Sequence, residues 1–265
     1  MGVNRRDFLR IGGMGTLLGL GGAAARELLP PGAALAEEAP QRGEALKAER
    51  WAMVVDMRKC LSKVKKDGCR DCALACERAH NIPTPTNPNH ALKWIWQEPY
   101  ENAFPCQHND YVDEGLRGQP VLVLCNQCDK PPCVRVCPTR ATFRRDDGIV
   151  MMDYHRCIGC RYCMAACPYG SRSFNFVDPR KYLDPDATDP RFPTRMKGVV
   201  EKCNFCAERL AEGLMPACVE VCKDKALIFG DLRDPKSDVR KVLRSRFSVR
   251  RKPDLGTHPE IYYVV

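Results

Sequence analysis

The feature that most constrains this chain is a run of four cysteines, Cys157, Cys160, Cys163 and Cys167, followed at once by Pro168. The spacing C-x2-C-x2-C-x3-C-P wraps three thiolates round one corner of an iron–sulfur cubane and sends the fourth toward a second cluster. Structural zinc sites instead set two cysteine pairs on either side of a longer spacer, and a disulfide framework needs no such crowding. Gly159 suits a backbone turning tightly against an inorganic core, and Pro168 ends the short helix expected to carry Cys163 and Cys167. The run therefore predicts redox chemistry; a zinc or disulfide cysteine scaffold is the reading from a different class.

Laying this template along the chain finds three more runs. Asp56, Cys60, Gly68, Cys69, Cys72 and Cys76 mirror Asp153, Cys157, Gly159, Cys160, Cys163 and Cys167, except that eight residues rather than two separate the first two cysteines, a six-residue insertion within Leu61 to Asp67. Cys125, Cys128, Cys133 and Cys137 are echoed by Cys203, Cys206, Cys218 and Cys222, with a middle spacer of four residues in the first and eleven in the second. Sixteen of the seventeen cysteines fall into four runs, so one unit has been used twice. Cys106 is left over. Since Asp56 stands before Cys60 as Asp153 stands before Cys157, Cys60 is favoured as the ligand and Cys106 as a buried, small apolar residue.

At the start of the chain, Arg5 and Arg6 followed by Asp7, Phe8 and Leu9 form a twin-arginine export signal, and Ala34, Leu35 and Ala36 supply a cleavage site before Glu37. The apolar stretch from Ile11 to Ala25 holds six glycines and is shorter than the ~20 residues a spanning helix needs. A periplasmic protein, exported already folded and held peripherally on the membrane by partner subunits, is expected. No Cys-x-x-Cys is followed by histidine, so no covalent haem is encoded. The formal charge of +9 would suit nucleic acid, yet removing residues 1–36 leaves +7. Four oxidised clusters with their thiolates contribute roughly −8. The basic excess thus compensates clusters, and no nucleic-acid partner is expected.

Between the runs, short strands alternate with one- or two-turn helices: strands at Trp51 to Asp56, Pro120 to Leu124, Arg172 to Phe176 and Ala226 to Phe229, a hairpin joining Ala141 to Arg144 and Gly148 to Met152, a helix from Asn204 to Glu212, a basic helix from Asp238 to Arg246 and a docked strand at the tail, Ile261 to Val265. Ala79 to Pro88 reads as a surface loop and Asp178 to Lys197 as a linker. The fold class is α+β, with tandem, nested ferredoxin-like units and long surface loops. Its divisions are a signal peptide at 1–36, a tether at 37–50, the first part of an outer unit at 51–120, an inner two-cluster unit at 121–177, the linker at 178–197, the rest of the outer unit at 198–232 and an extension at 233–265.

Cys125 to Pro138, the Cys157 run with Pro168, Tyr169 and Gly170, and Glu201 to Cys206 resemble the four-cluster ferredoxin subunits of membrane-associated respiratory complexes that serve polysulfide, dimethyl sulfoxide and nitrite-type reductases. The resemblance covers roughly residues 51 to 232. Within that family, the leader, the stretched Cys60 to Cys69 spacing, His80 to Pro83 and the Tyr262 to Val265 tail look most like the periplasmic iron–sulfur subunit of the Dsr complex of sulfur metabolism. The departures are the insertion after Cys60 and Lys223, where Pro138 and Pro168 follow the other runs.

The resemblance implies four 4Fe-4S clusters in a nested arrangement. Cluster 1 would take Cys60, Cys69, Cys72 and Cys222; cluster 2, Cys203, Cys206, Cys218 and Cys76; cluster 3, Cys125, Cys128, Cys133 and Cys167; cluster 4, Cys157, Cys160, Cys163 and Cys137. It implies an electron-transfer subunit, not an enzyme by itself and without a small-molecule substrate of its own, linking a quinone-interacting integral membrane subunit, and with it a multihaem cytochrome c, to the rest of the complex. The alternative is service to a molybdopterin reductase of the polysulfide, dimethyl sulfoxide or tetrathionate type. His155, Arg156, Arg161, Arg58 and Lys59 stand beside ligands, where they either raise local potentials or are merely solvated.

Overall fold

The computed structural model describes residues 43–107 and 109–265. The export signal and cleavage site lie outside the described residues. The strands are β1 (Trp51–Asp56), β2 (Ile95–Pro99), β3 (Pro120–Leu124), β4 (Thr142–Arg144), β5 (Val150–Met152), β6 (Ser173–Phe174), β7 (Val200–Glu201), β8 (Leu227–Asp231), β9 (Ser248–Val249) and β10 (Ile261–Val264). The helices are α1 (Met57–Asp67), α2 (Asp71–Ala79), α3 (Tyr100–Ala103), α4 (Pro132–Arg135), α5 (Tyr162–Ala166), α6 (Ala207–Ala211), α7 (Ala217–Glu220) and α8 (Asp238–Ser245). No described helix is long and apolar enough to cross a membrane.

The largest sheet runs β8-β1-β10-β9. Every residue of β1 is buried because both of its faces are covered. With side chains alternating along the strand, Trp51, Met53 and Val55 enter the main core, while Ala52 and Val54 meet Val239 of α8 and Val264 of β10. β10 pairs parallel with β1, Met53 opposite Ile261, and β8 pairs antiparallel, Met53 opposite Phe229. The expected tail strand is therefore central. Ser237 caps α8, its hydroxyl accepting from the Arg240 amide at 3.3 Å.

The insertion after Cys60 does not loop away. Asp56 caps α1 by accepting from the Lys59 amide at 3.1 Å and pairs with Arg246, and the helix ends at Gly68, left-handed at φ +60°, whose N–H reaches the Val64 carbonyl at 2.8 Å. The extra residues amount to fewer than two helical turns, at ~3.6 residues each, inside α1. The Asp146–Asp147–Gly148 turn closes the β4–β5 hairpin, with the Arg145 amide bonded to the Ile149 carbonyl at 2.9 Å. Gly159, at φ +69°, is required for a different close approach from the one expected: a Cβ there would strike the Gly198 carbonyl.

Three expectations are corrected. His80, Asn81, Ile82 and Pro83 are buried, so the surface loop expected over Ala79 to Pro88 is confined to its second half, from Thr84. The linker at 178–197 is fastened to the buried half: the Asn81 amide donates to the Asp189 and Phe192 carbonyls at 2.9 and 2.6 Å, and Arg195 donates to the carbonyls of His80 and Asn81. Arg195 is itself paired in the interior with Glu201 at 2.8 Å. A buried charge demands such a partner, and that demand pulls both segments inward. Residues 43–50 are likewise no free tether. The Leu46 amide reaches the Leu210 carbonyl at 2.9 Å, Asp231 accepts from the Glu49 and Arg50 amides, and the Arg50 guanidinium joins Glu260 and Asp129 at 2.8 and 2.7 Å.

Deleting the residues after Glu260 removes Ile261, Tyr263 and Val264, each with 0% exposure. At about 1.5–3 kcal/mol per buried side chain, this approaches a typical total stability of about 5–15 kcal/mol. The truncated chain should show no cooperative unfolding transition by circular dichroism; an unchanged midpoint would refute the central role of β10.

Candidate metal centres

Each run delivers its cysteines through a short helix, and the helices meet in pairs. α2 packs on α7 and α4 on α5. Cys72 and Cys76 lie one turn apart on α2, on the same face. They nevertheless serve different neighbourhoods. Cys60, Cys69, Cys72 and Cys222 line a single cavity between α1, α2 and the turn after α7. Burial, then Cys222 and Cys69, push the Cys60 thiol up to about 11, and burial, then Cys60 and Cys69, push Cys72 up to about 12.

Cys76 turns instead to Cys203, Cys206 and Cys218. Its thiol is raised far above its ordinary value by burial, then by those three neighbours in that order. Cys218 is raised by burial, then by Cys206, Cys203 and Cys72. In the second helix pair, burial raises Cys128, followed by Cys125, with Cys133 and Cys167 also contributing. Cys163 is raised by burial, Cys133 and Cys157 adding to it, and Cys137 packs in one apolar cluster with Cys157 and Cys163. Cys137 alone is lowered: burial opposes the shift, and the Thr142, Thr139 and Ala141 N–H groups with the Thr139 hydroxyl outweigh it. Cys160 is exposed.

The neighbourhoods adjoin in sequence. Cys72 lies near enough to Cys218 and Cys76 for their charges to interact, as does Cys203 to Cys125 and Cys163 to Cys133. Three of the neighbourhoods combine three cysteines of one run with the last cysteine of another, Cys222, Cys76 or Cys167. Such an exchange is the habit of two-cluster ferredoxin sites, whereas zinc sites draw on local pairs. The donor set fits iron–sulfur clusters on chemical grounds too. Converging soft thiols suit iron and sulfide, and ligation reverses the resistance to ionisation that burial imposes. The Asn126 side chain, 1% exposed and directly after Cys125, finds no protein hydrogen-bond partner among the described residues, as a polar group facing a bound cofactor would.

Other interior groups surround these thiols, and the sequence pattern pointed to few of them. Arg172 is 5% exposed, donates to Thr142 at 2.7 Å and lies nearest Cys133 and Cys163 among the thiols. Lys202 donates to the carbonyls of Val150 and Cys203. Glu201 accepts from Trp94 at 3.1 Å and Asn175 at 2.6 Å besides Arg195. Burial opposes ionisation of Glu208, but the hydrogen bond from His80 wins and holds its carboxyl below the usual range. Glu201 and Lys202, directly before Cys203, and Arg172, just beyond Tyr169, were the available signals. The five basic residues singled out instead, His155, Arg156, Arg161, Arg58 and Lys59, are all exposed.

A family model described as a 4Fe-4S dicluster domain matches residues 121–178 and 190–232, and with them three of the four runs. The chain is 38% identical to the Hdr-like menaquinol oxidoreductase iron-sulfur subunit 1 of Archaeoglobus fulgidus, across 98% of this chain and 97% of that protein. This protein belongs to the 4Fe-4S ferredoxin-type iron–sulfur subunits of oxidoreductase complexes. Other members are a tetrathionate reductase subunit of Salmonella typhimurium, 34% identical across 100% of this chain and 89% of that protein, and a polysulfide reductase chain of Wolinella succinogenes, 37% identical across 82% and 95%. This chain is therefore an electron-transfer subunit of an oxidoreductase complex and not its catalytic subunit.

Cys106 corrects a further expectation. It is exposed, in the turn Pro105–Gln107, and not a buried apolar residue. From its segment Tyr100 and Phe104 are the aromatic side chains turned into the core, while the thiol faces outward. Cys106→Ala should retain all iron, while Cys60→Ala should lose one cluster's worth; the reverse result in iron analysis would make Cys106 the ligand.

Proposed function

We propose that this subunit is a four-cluster electron relay, with Cys60, Cys69, Cys72 and Cys222 holding the first 4Fe-4S cluster, Cys76, Cys203, Cys206 and Cys218 the second, Cys125, Cys128, Cys133 and Cys167 the third, and Cys137, Cys157, Cys160 and Cys163 the fourth. The observation that carries this reading is the electrostatic proximity of thiols in adjoining sets, Cys72 with Cys218, Cys203 with Cys125 and Cys133 with Cys163, which supports four sites in series. Each cluster, when bound, supplies a one-electron couple whose potential follows hydrogen bonding, burial and nearby charge. The protein's part is to hold the thiolates, exclude water and place Arg172 and Lys202 where added negative charge is welcome.

The inner unit, 121–177, and the flanking outer parts, 51–120 and 198–232, follow from the same ligand sets. The leader at 1–36 supports twin-arginine export and a periplasmic location. Likeness to a menaquinol oxidoreductase subunit supports a quinone-interacting integral membrane partner. In this reading the complex is one of sulfur metabolism, of the Dsr type, with a multihaem cytochrome c as a further partner. A second reading, service to a molybdopterin reductase, draws on the likeness to the tetrathionate and polysulfide reductase proteins.

Iron and acid-labile sulfide in the anaerobic protein should each approach roughly sixteen per chain, at four per cubane, and mild detergent should recover the subunit with an integral membrane protein whose identity separates the two readings. Values near twelve, or recovery only as a free monomer at native expression, would overturn the relay or its membrane link respectively. Arg5→Lys with Arg6→Lys should leave cluster-loaded precursor in the cytoplasm on fractionation; normal periplasmic accumulation would reject twin-arginine export.

A further inference from the structure

His80 is buried at 1% exposure and belongs to neither of the roles the cysteine runs prescribe. Its Nδ1 lies 3.5 Å from the Cys76 sulfur and 3.0 Å from the Cys76 carbonyl oxygen. On the far side of the ring, Nε2 meets Glu208 at 2.7 Å. The second oxygen of Glu208 accepts from the Asn204 amide at 2.9 Å, so the carboxylate is itself fixed by the run between Cys203 and Cys206. The ring is clamped sideways as well, with Trp94 at 4.7 Å and Phe192 edge-on at 4.8 Å between centroids. Donor atoms of His80, Cys206 and Glu208 all lie within 4.8 Å of one another, which sets the imidazole against two thiols of one site.

We propose that His80 sets the reduction potential of the cluster held by Cys76, Cys203, Cys206 and Cys218, with Nδ1–H donating to the Cys76 sulfur and Glu208 as the positioning residue that holds the ring. This deepens the relay reading and rests on its second ligand set. Every group that faces the ring nitrogens is an acceptor, a sulfur and a carbonyl at Nδ1 and a carboxylate at Nε2, so the ring donates from both, to Glu208 on one side and toward Cys76 on the other. Reduction adds negative charge to the cluster and its thiolates, and a donor to sulfur stabilises that state more than the oxidised one. Removing the donor therefore lowers the potential of this cluster. The others have no imidazole hydrogen bond to a ligand sulfur among the described residues, so theirs should stay where they are. The physical value of such a group in a series of otherwise similar thiolate sites is to distinguish one member from its neighbours.

The test is redox titration followed by electron paramagnetic resonance on the complex isolated anaerobically, with iron counted in each sample. Cys206→Ser first marks which signal belongs to the site. His80→Phe keeps an aromatic ring against Trp94 and Phe192 but deletes the donor; the marked signal should move to more negative potential with iron content unchanged and the other signals unmoved. Glu208→Asp, which keeps the negative charge but withdraws the carboxylate from Nε2 and so frees the ring, should move the same signal in the same direction by less. If Cys206→Ser alters no single signal, the ligand set is wrong. If it alters one and neither His80→Phe nor Glu208→Asp moves that signal, the ligand set survives and the role of His80 is refuted. Should His80→Phe lose the cluster, Glu208→Asp decides alone, and an unmoved potential there refutes the proposal.

Discussion

The constraint on which the rest depends is the cost of gathering thiols in a dry interior. Cys76 and Cys218 are deeply buried, and each resists ionisation first through lost solvation and then through the other cysteines beside it. A protein without a cationic inorganic partner would avoid such crowding, since like charges in low dielectric repel strongly. The helices are correspondingly short. α2 spans about two and a half turns and α7 about one, at ~3.6 residues each, enough for α2 to offer Cys72 to one site and Cys76 to the next, and for α7 with the turn after it to offer Cys218 to one and Cys222 to the other. A helix that contributes to two sites fixes their separation, and the α4–α5 pair repeats the device.

Around those helices the protein closes its interior with charged and polar side chains as well as apolar ones. Glu201 gathers Arg195, Trp94 and Asn175, and Arg195 in turn ties down the carbonyls of His80 and Asn81. Losing one partner of such a pair typically costs about 3–5 kcal/mol, since the other charge is stranded. The carboxyl-terminal extension performs a related service: the carbonyls of Thr257 and His258 accept from the Lys130 and Asp129 amides, and the Glu260 amide donates to Asn126 before the chain enters the large sheet as β10. The cysteine runs are thus enclosed by segments far away in sequence.

Much was legible from the sequence because cluster chemistry writes itself into spacing. The repeats, β1, β3, the β4–β5 hairpin, α8 and the tail strand were all visible in spacing, turn residues and apolar periodicity, which are local signals. The family resemblance supplied the grouping of cysteines between runs. What misled was polarity. Ala79 to Pro88 carries the prolines and asparagines, and Asp178 to Lys197 the prolines and aspartates, of surface loops, yet Asn81 and Arg195 spend their hydrogen bonds inside. Cys106 is of a residue type usually buried, yet it occupies an exposed position.

By itself, then, the sequence determined that thiolates converge in repeated sets, because ligand spacing along one run is a local property of a few residues. Tertiary structure alone decided which side chains attend them. The approach of His80 to Cys76 lies within one helix turn, but the carboxylate that aims the ring, Glu208, is 128 positions away, and Arg172 comes to Cys133 from a later strand region. No periodicity encodes such meetings. They arise when buried charges and donors must find partners in an interior without water, and only the packed chain determines which partners are within reach.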